Sequence, residues 1–314
     1  MCVTCGCSDD SHPILTNLQT GVMEAIAPAE APLHDHIHTL PDGSVITHRH
    51  DHSAATHAEL SHAHPDQPHQ HSHSDHHPDP DPDQPSDSVT QLHAALHGST
   101  IELEHKLLAK NDRIAAHNRD WLKQRHILAL NLVSSPGAGK TTLLTRTITD
   151  LQNQMAIAVI EGDQETANDA QRIQATGCPV VQVNTGTGCH LEAAMIERGL
   201  QTLNPPPNSL LMIENVGNLV CPALFNLGEQ AKVVILSVTE GEDKPIKYPH
   251  MFRASQVMIL TKTDLLPYVP FDVDRCLAYA RQVNPRMQIF QISALTGDGL
   301  ADWYAWLQQA QGGS

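Results

Sequence analysis

The fold is decided by one stretch of sequence, Ser134-Ser135-Pro136-Gly137-Ala138-Gly139-Lys140-Thr141-Thr142. It follows an apolar run at residues 127–133 and opens a helical pattern. In such a loop the glycines let backbone N–H groups close around phosphate oxygens, Lys140 reaches the β- and γ-phosphates, and the Thr141 hydroxyl is placed to bind Mg²⁺. Ser134 stands where the usual pattern has its first glycine, and it is small enough for binding to be retained. The sequence therefore predicts a P-loop whose nucleotide-binding residues are Pro136, Gly137, Ala138, Gly139, Lys140, Thr141 and Thr142.

The chain around this loop alternates between short β-branched runs and helical patterns. Runs that are apolar at every position are expected for strands buried on both faces. We therefore predict an α/β fold of the P-loop NTPase type, with a mostly parallel sheet covered by helices on both faces. The predicted strands are residues 127–133, 156–161, 180–184, 210–215, 233–238, 257–261 and 288–292.

Two later loops indicate guanine rather than adenine as the base. Thr261-Lys262-Thr263-Asp264 resembles the Asn-Lys-x-Asp signature of G domains, in which the Asp carboxylate accepts two hydrogen bonds from guanine and the Lys stem packs on the ring. One strand later, Ser293-Ala294-Leu295 resembles the companion loop, whose Ala backbone N–H meets the guanine carbonyl oxygen. Alone, the first motif could be a capped turn. Behind a P-loop, the pair predicts that Lys262, Asp264, Ser293 and Ala294 bind GTP.

Two acidic residues at strand ends complete the predicted Mg²⁺ shell with Thr141. Asp163 ends the second strand, where it could hold Mg²⁺ or position the attacking water, and Glu214 ends the strand that precedes Gly217. Lys140 and Asp163 are the predicted catalytic residues. The alternative for either carboxylate is a solvated cap of its strand.

Cysteine and histidine form two candidate metal sites. Cys2, Cys5 and Cys7 lie within six residues, a spacing at which three thiolates can wrap around one soft cation; the alternative is an exposed, oxidation-prone tail. Cys189-His190 is expected to open a helix, and Cys221 lies seven residues after Glu214. Because both segments follow the carboxyl ends of strands, they could approach one edge and form an incomplete Zn²⁺ or Ni²⁺ shell that a second copy completes. The alternative is ordinary core thiols, the reading given to Cys178 and Cys276.

The first ninety residues differ sharply in composition from the rest. They hold one basic residue against fourteen acidic ones, which accounts for −13 of the net charge of −16. Fourteen of the 22 histidines fall between residues 34 and 77, among Asp and Pro and almost without large apolar side chains. Since such a composition cannot form a core, residues 32–88 are predicted to be disordered. Imidazoles at this density would bind Ni²⁺, Cu²⁺ or Zn²⁺ at modest affinity; the alternative is a solvating linker.

The predicted organisation has four parts: a Cys-rich metal-binding head at residues 1–31, the His-rich segment at 32–88, N-terminal helices at 89–126 and the GTPase domain at 127–314. In the helical part, Leu107, Ile114 and Trp121 recur at seven-residue spacing, which predicts an apolar stripe packed onto the following domain. The acidic balance argues against nucleic acid as a partner. No apolar run approaches the roughly 20 residues of a membrane span, and the first residues lack the features of a secretory signal, so a cytosolic protein without a membrane partner is expected.

Together these features resemble the HypB family, GTPases that help insert nickel into [NiFe]-hydrogenase. The resemblance covers the N-terminal cysteines and nearly everything from about residue 100 to the end. It implies a dimerising GTPase of the SIMIBI class, which includes signal-recognition and nitrogenase-type NTPases. The motifs that carry it are Cys2/Cys5/Cys7, the P-loop, Glu161-Gly162-Asp163, Cys189-His190, Glu214-Asn215-Val216-Gly217-Asn218 and Cys221-Pro222.

The resemblance also implies ligands and partners. The cysteine head would form a tight nickel site, and Cys189, His190 and Cys221 a metal site at the interface of a homodimer. The expected cofactors are GTP, Mg²⁺, Ni²⁺ and Zn²⁺, and the expected partners are a HypA-type metallochaperone and the [NiFe]-hydrogenase large-subunit precursor. Nickel storage is the expected role of the His-rich segment. The alternatives are a GTPase for another nickel enzyme such as urease, or a nickel/zinc storage protein whose nucleotide domain only dimerises.

Overall fold

The computed structural model describes residues 13–26, 35–39, 45–49, 87–164 and 166–312. Cys2, Cys5, Cys7 and most of the His-rich segment lie outside these ranges. The described chain forms two units, one of residues 1–28 with 99–314 and one of residues 29–98. No helix among the described residues has the length and apolar character needed to cross a bilayer.

Seven parallel strands form the centre of the larger unit. They lie in the order β11-β10-β9-β5-β8-β6-β7, with the P-loop strand β5 in the middle. All seven predicted strands are confirmed, with boundaries that differ by at most two residues. The strands are β5 (Leu128–Ser134), β6 (Ile157–Asp163), β7 (Val180–Asn184), β8 (Leu210–Glu214), β9 (Ala231–Ser237), β10 (Val257–Thr261) and β11 (Gln288–Ile292).

Two more strands, both within the predicted metal-binding head, extend this sheet. β1 (Ile14–Asn17) pairs antiparallel with β7, and β2 (Met23–Ala25) pairs with β1. Leu15 is only 2% exposed and packs in the core, so its burial fixes the register of the short strand. The predicted head of residues 1–31 is therefore not separate throughout, because residues 14–25 belong to the sheet.

Helices cover both faces of the sheet, as predicted. One face packs against α2 (Lys140–Leu151), α3 (Asn168–Gln174) and α8 (Leu300–Gly312), and the alternate strand residues point into that core. The other face packs against α1, α4, α6 and α7. Their bounds are α1 (Asp87–Gln124), α4 (Ala193–Leu203), α6 (Pro249–Ala254) and α7 (Val273–Val283), with the single turn α5 (Lys244–Lys247) between strands β9 and β10.

The face that α1 buries is not the apolar stripe predicted from sequence. Leu107, Ile114 and Trp121 are only partly buried, and the buried stripe beside them is Asn111, Ala115, Asn118 and Leu122. Two of its four members are amides, which the apolar periodicity could not reveal because their partners are backbone groups of distant loops.

The smaller unit contains one hairpin from the segment predicted to be disordered. β3 (Asp35–Thr39) and β4 (Val45–Arg49) pair antiparallel, with Ile37 opposite Thr47. Within the segment predicted to be disordered, these ten residues form a hairpin and residues 87–88 belong to α1. The rest of residues 32–88 lies outside the described ranges. Pro41-Asp42-Gly43 between the two runs is a turn sequence, and this local signal was masked by the overall composition.

Candidate nucleotide and metal site

The P-loop connects β5 to α2 in the predicted way. Gly137 and Gly139 have φ values of 74° and 96°, a left-handed backbone that glycine adopts without steric cost. The Lys140 ammonium donates to the Ser134 hydroxyl over 3.0 Å. Ser134 is fully buried, so the residue in place of the usual first glycine acts here as a polar partner for the P-loop lysine.

Thr141 and Glu214 meet beneath this loop. The Thr141 hydroxyl donates to Glu214 Oε1 over 2.7 Å, while Glu214 Oε2 is buried and has no hydrogen-bond partner among the described residues. Burial raises the pKa of Glu214 to about 7, although the nearby Lys140 ammonium opposes the shift. A hydroxyl beside an unsatisfied buried carboxylate is a donor set that suits a hard cation such as Mg²⁺.

Asp163 is positioned differently from the other two predicted Mg²⁺ ligands. Its carboxylate accepts from the backbone N–H of Gln164 at 2.8 Å, and from the backbone N–H and hydroxyl of Thr166 at 3.0 and 2.5 Å. The structure therefore joins Thr141 to Glu214 but holds Asp163 in a capped turn after β6.

Glu161 is a buried carboxylate for which no role was predicted. It lies opposite Glu214 in the register of β6 and β8 and is 2% exposed. Burial, reinforced by the charge of Glu214, raises the pKa of Glu161 to about 9. A cation that binds beside Glu161 and Glu214 would favour their ionised forms and so lower the pKa of both carboxyl groups.

The predicted guanine loops are tied to each other and to the P-loop. The Ser293 hydroxyl donates to Asp264 Oδ1 over 2.6 Å. The Lys262 ammonium donates to the Gly137 carbonyl over 2.8 Å, and the Thr261 hydroxyl donates to the Ala138 carbonyl over 2.7 Å. Thr261 thus makes a P-loop contact in the place of the usual Asn side chain. The Ala294 carbonyl accepts from Arg146 of α2, which fixes the second loop.

Two basic side chains near the phosphate site were missed by sequence reasoning. The Lys244 ammonium donates to the Ser135 hydroxyl over 2.9 Å and pairs with Glu240 at 3.1 Å. Arg172 of α3 lies 3.4 Å from the Thr142 hydroxyl. Neither belongs to a recognisable motif, since only the tertiary fold brings α5 and α3 to the P-loop.

Cys189, His190 and Cys221 come together, as the strand-end argument predicted. One ligand atom from each lies within 4.8 Å of the other two. Cys189 and His190 lie in the loop before α4 and do not open the helix, while Cys221 begins a short 3₁₀ turn, Cys221–Ala223. We call these three residues the metal trio. The convergence is the geometry that a shared metal ion requires.

The histidine of the metal trio suits a metal ligand. His190 is 7% exposed, and its Nε2 has no hydrogen-bond partner among the described residues. Burial lowers the pKa of His190 to about 4, so the ring is neutral at pH 7 and carries a lone pair. Two sulfur atoms and an imidazole nitrogen are donors for Ni²⁺ and Zn²⁺, one short of a tetrahedral shell.

The segment after β8 links the metal trio to the nucleotide site. Asn215 accepts from the Leu191 backbone N–H at 3.2 Å, and Asn218 donates to the Cys189 carbonyl at 3.1 Å. Between them, the Cα of Gly217 faces Pro136 so closely that an added Cβ would lie 3.0 Å from the proline ring. The chain from Glu214 to Cys221 therefore contacts both the P-loop and the loop of Cys189.

The remaining described cysteines have no place in either site. Cys178 and Cys276 are buried free thiols, and burial raises the pKa of each to about 12. A thiol held neutral in this way is a poor metal ligand, in agreement with the role of core residues expected from the sequence.

Comparisons with known proteins agree with this geometry. Residues 128–291 match a family model described as the CobW/HypB/UreG nucleotide-binding domain. The chain is 57% identical over 212 residues to the hydrogenase maturation factor HypB of Azotobacter chroococcum, covering 68% of this chain and 70% of that relative. It is 58% identical over 208 residues to HypB of Escherichia coli K12, covering 66% and 72%.

Two solved structures resemble about two thirds of this chain. HypB from Archaeoglobus fulgidus has a TM-score of 0.61 and 37% identity, covering 65% of this chain and 99% of that one. HypB from Helicobacter pylori, solved in complex with nickel, has a TM-score of 0.60 and 38% identity, covering 64% and 95%.

Proposed function

Since this chain belongs to the HypB family of hydrogenase maturation factors, we propose that it hydrolyses GTP and uses the nucleotide cycle to deliver nickel to the [NiFe]-hydrogenase large-subunit precursor. The observation that carries the proposal is the single segment from Glu214 to Cys221. It begins at the carboxylate bonded to the P-loop Thr141 and ends at a cysteine of the metal trio.

In the proposed reaction, the P-loop and the guanine loops bind GTP. Asp264 reads the base, and the P-loop N–H groups with Lys140 hold the phosphates. Thr141 and Glu214 would hold Mg²⁺, with Asp163 as the third candidate, and the ion supplies charge neutralisation on the β- and γ-phosphates. Water attacks the γ-phosphorus as the bond to the β–γ bridging oxygen breaks, and Lys140 stabilises the charge that develops on that oxygen. Asp163 orients the water once its turn opens.

Nickel is the proposed cargo of the metal trio, which can also take Zn²⁺. The nickel complex of the Helicobacter pylori relative supports nickel as the cargo. Because three donors leave a tetrahedral shell incomplete, a second copy of the chain would close the site across a homodimer. We propose that Cys2, Cys5 and Cys7 form a separate tight nickel site and that the His-rich segment stores nickel.

The nucleotide state would change nickel affinity through the Glu214–Cys221 segment. A γ-phosphate that repositions Glu214 also moves Gly217, which faces Pro136, and Asn218, which bonds to the Cys189 carbonyl. Release of nickel would then follow hydrolysis, in the cytosol, where thiolates stay reduced. We propose a HypA-type metallochaperone as the partner in this transfer.

Maturation of hydrogenase in a strain that lacks its own factor tests the whole proposal. The wild-type chain should restore nickel in the large subunit, while Lys140→Ala and Cys221→Ser should each fail. Lys140→Ala should still bind nickel, whereas Cys221→Ser should still hydrolyse GTP. If Lys140→Ala supports full nickel insertion, GTP turnover is not part of delivery.

A further inference from the structure

The two loops of the metal trio are held together by a helix that contributes no ligand. One loop runs from Cys189 to the start of α4 at Ala193, and the other runs from Cys221 through Gly228. Between them lies the buried stripe of α1. This stripe carries two asparagines where a packing helix ordinarily presents apolar side chains.

Asn111 bridges the two loops directly. Its Oδ1 accepts from the Ala193 backbone N–H at 2.9 Å, and its Nδ2 donates to the Asn226 carbonyl at 2.8 Å. One amide therefore links the backbone of Ala193, which follows the Cys189-His190 pair, to the backbone of Asn226, five residues after Cys221. These two bonds set the distance between the loops. Asn111 is only 6% exposed, so both bonds are largely shielded from water.

Asn118 makes a second bridge two helical turns later. Its Nδ2 donates to the Ala193 carbonyl at 2.8 Å and to the Leu227 carbonyl at 3.1 Å. Both polar groups of Ala193 are thus bonded to α1, the N–H by Asn111 and the carbonyl by Asn118. The residue where α4 begins is fixed to the helix at two points.

The Cys221 loop also meets α1 at close range. An added Cβ on Gly228 would lie 2.7 Å from the Asn118 Cβ and 2.8 Å from the Ala115 carbonyl, and Gly228 has a φ of 100°. Arg119 donates to Asn226 Oδ1 at 2.8 Å. The loop is therefore pressed against the helix as well as hydrogen-bonded to it.

We infer that Asn111 and Asn118 are positioning residues of the metal site, which fix the separation of Cys189 and His190 from Cys221. The inference rests on the proposed role of the metal trio. Neither amide touches the ligand atoms; both act through the backbone of the loops that carry them. Groups that hydrogen-bond directly to metal ligands orient them, and their loss weakens metal binding by about 10- to 100-fold. We expect an effect of the same size from amides that fix the backbone of both ligand loops.

The test is nickel binding by the full-length chain with Cys2, Cys5 and Cys7 changed to Ser. Thiolate-to-nickel charge-transfer absorption then reports Cys189 and Cys221, because imidazoles give no such band and the other two thiols are buried. In this background Asn111→Ala/Asn118→Ala should raise the nickel Kd by about 10- to 100-fold and leave the GDP Kd within about twofold. The matched control is Thr147→Val, which removes a fully buried hydroxyl bonded to Trp303 on the opposite face.

An unchanged nickel Kd in the double variant, with a melting temperature lowered as in Thr147→Val, would overturn the inference. If the double variant does not fold, Asn111→Asp replaces it, since aspartate keeps the acceptor for Ala193 and places a carboxylate against the Asn226 carbonyl. An unchanged Kd in that variant also overturns the inference. Absence of the charge-transfer band before any asparagine is changed would refute metal binding by the trio itself, and the inference with it.

Discussion

Lys232→Met should destabilise the protein and loosen the loop of Cys221. Lys232 is 6% exposed, and its ammonium donates to the Pro222 carbonyl at 2.6 Å and the Phe225 carbonyl at 3.1 Å. It also lies 3.8 Å from Glu229 Oε1, in a pair whose side chains are both less than one-tenth exposed. Burial lowers the pKa of Lys232, and the charge of Glu229 opposes that shift. Methionine has a similar length but carries no charge or donor.

The loss of stability can be estimated because Lys232→Met removes one partner of a buried ion pair and leaves Glu229 in place. Removing one partner of a buried ion pair costs about 3–5 kcal/mol, because the remaining charge is left unpaired. For a domain of this size, 1 kcal/mol corresponds to about 2–4 °C in melting temperature, so a fall of about 6–20 °C is expected. Lys232→Met/Glu229→Gln leaves neither charge of the pair. Its loss of unfolding free energy should be smaller than the summed losses of Lys232→Met and Glu229→Gln by more than about 1 kcal/mol.

The assay is a double-mutant cycle of thermal unfolding, with nickel titration of each variant by thiolate charge transfer. The single Lys232 variant should also bind nickel more weakly, because two carbonyls beside Cys221 lose their donor. Losses that add within about 0.5 kcal/mol would refute the account of Lys232 and Glu229 as a coupled pair. A normal nickel affinity in Lys232→Met would refute its support of the Cys221 loop.

Three other changes test the nucleotide site. Without Mg²⁺, the raised pKa of Glu161 contributes stability that is complete below pH 4.5 and is lost as the pH rises to about 9. The corresponding contribution of Glu214 is lost by about pH 7. Glu161→Gln should therefore remove the fall in melting temperature between pH 7 and 9. Gly217→Ala places a methyl 3.0 Å from Pro136, an overpacking of about 1–3 kcal/mol that should weaken both GDP and nickel binding in paired titrations. Asp264→Ala removes two charge-assisted hydrogen bonds to guanine and should raise the Kd for a fluorescent GDP analogue at least about 100-fold. The melting temperature should fall as well, because the Ser293 hydroxyl loses its acceptor; an unchanged Kd would refute guanine recognition by this carboxylate.

The features predicted correctly were those that depend on residues close together in the sequence. The P-loop is one continuous motif, and the central strands β5, β9 and β10 are mostly apolar and buried at every position. The meeting of Cys189 with Cys221 could also be predicted, since both follow the carboxyl ends of strands and such ends share one edge.

The features missed depend on partners far away in the sequence. β1 is a four-residue strand that is defined by its pairing with β7, more than 160 residues later. The amide of Asn111 is buried because a loop 115 residues away offers it a carbonyl, and no periodicity of α1 contains that information. Lys244 reaches Ser135 across a separation of 109 residues for the same reason.

The central claim, that one segment couples the nucleotide to the metal, is tested most directly by the nickel Kd of the trio with GDP and with a non-hydrolysable GTP analogue. The full-length chain with Cys2, Cys5 and Cys7 changed to Ser isolates the signal. We expect the two values to differ by about 5- to 150-fold, the usual range of coupling between two sites, and nickel to change the affinity ratio of the two nucleotides by the same factor. Equal nickel affinities in the two nucleotide states would contradict the claim.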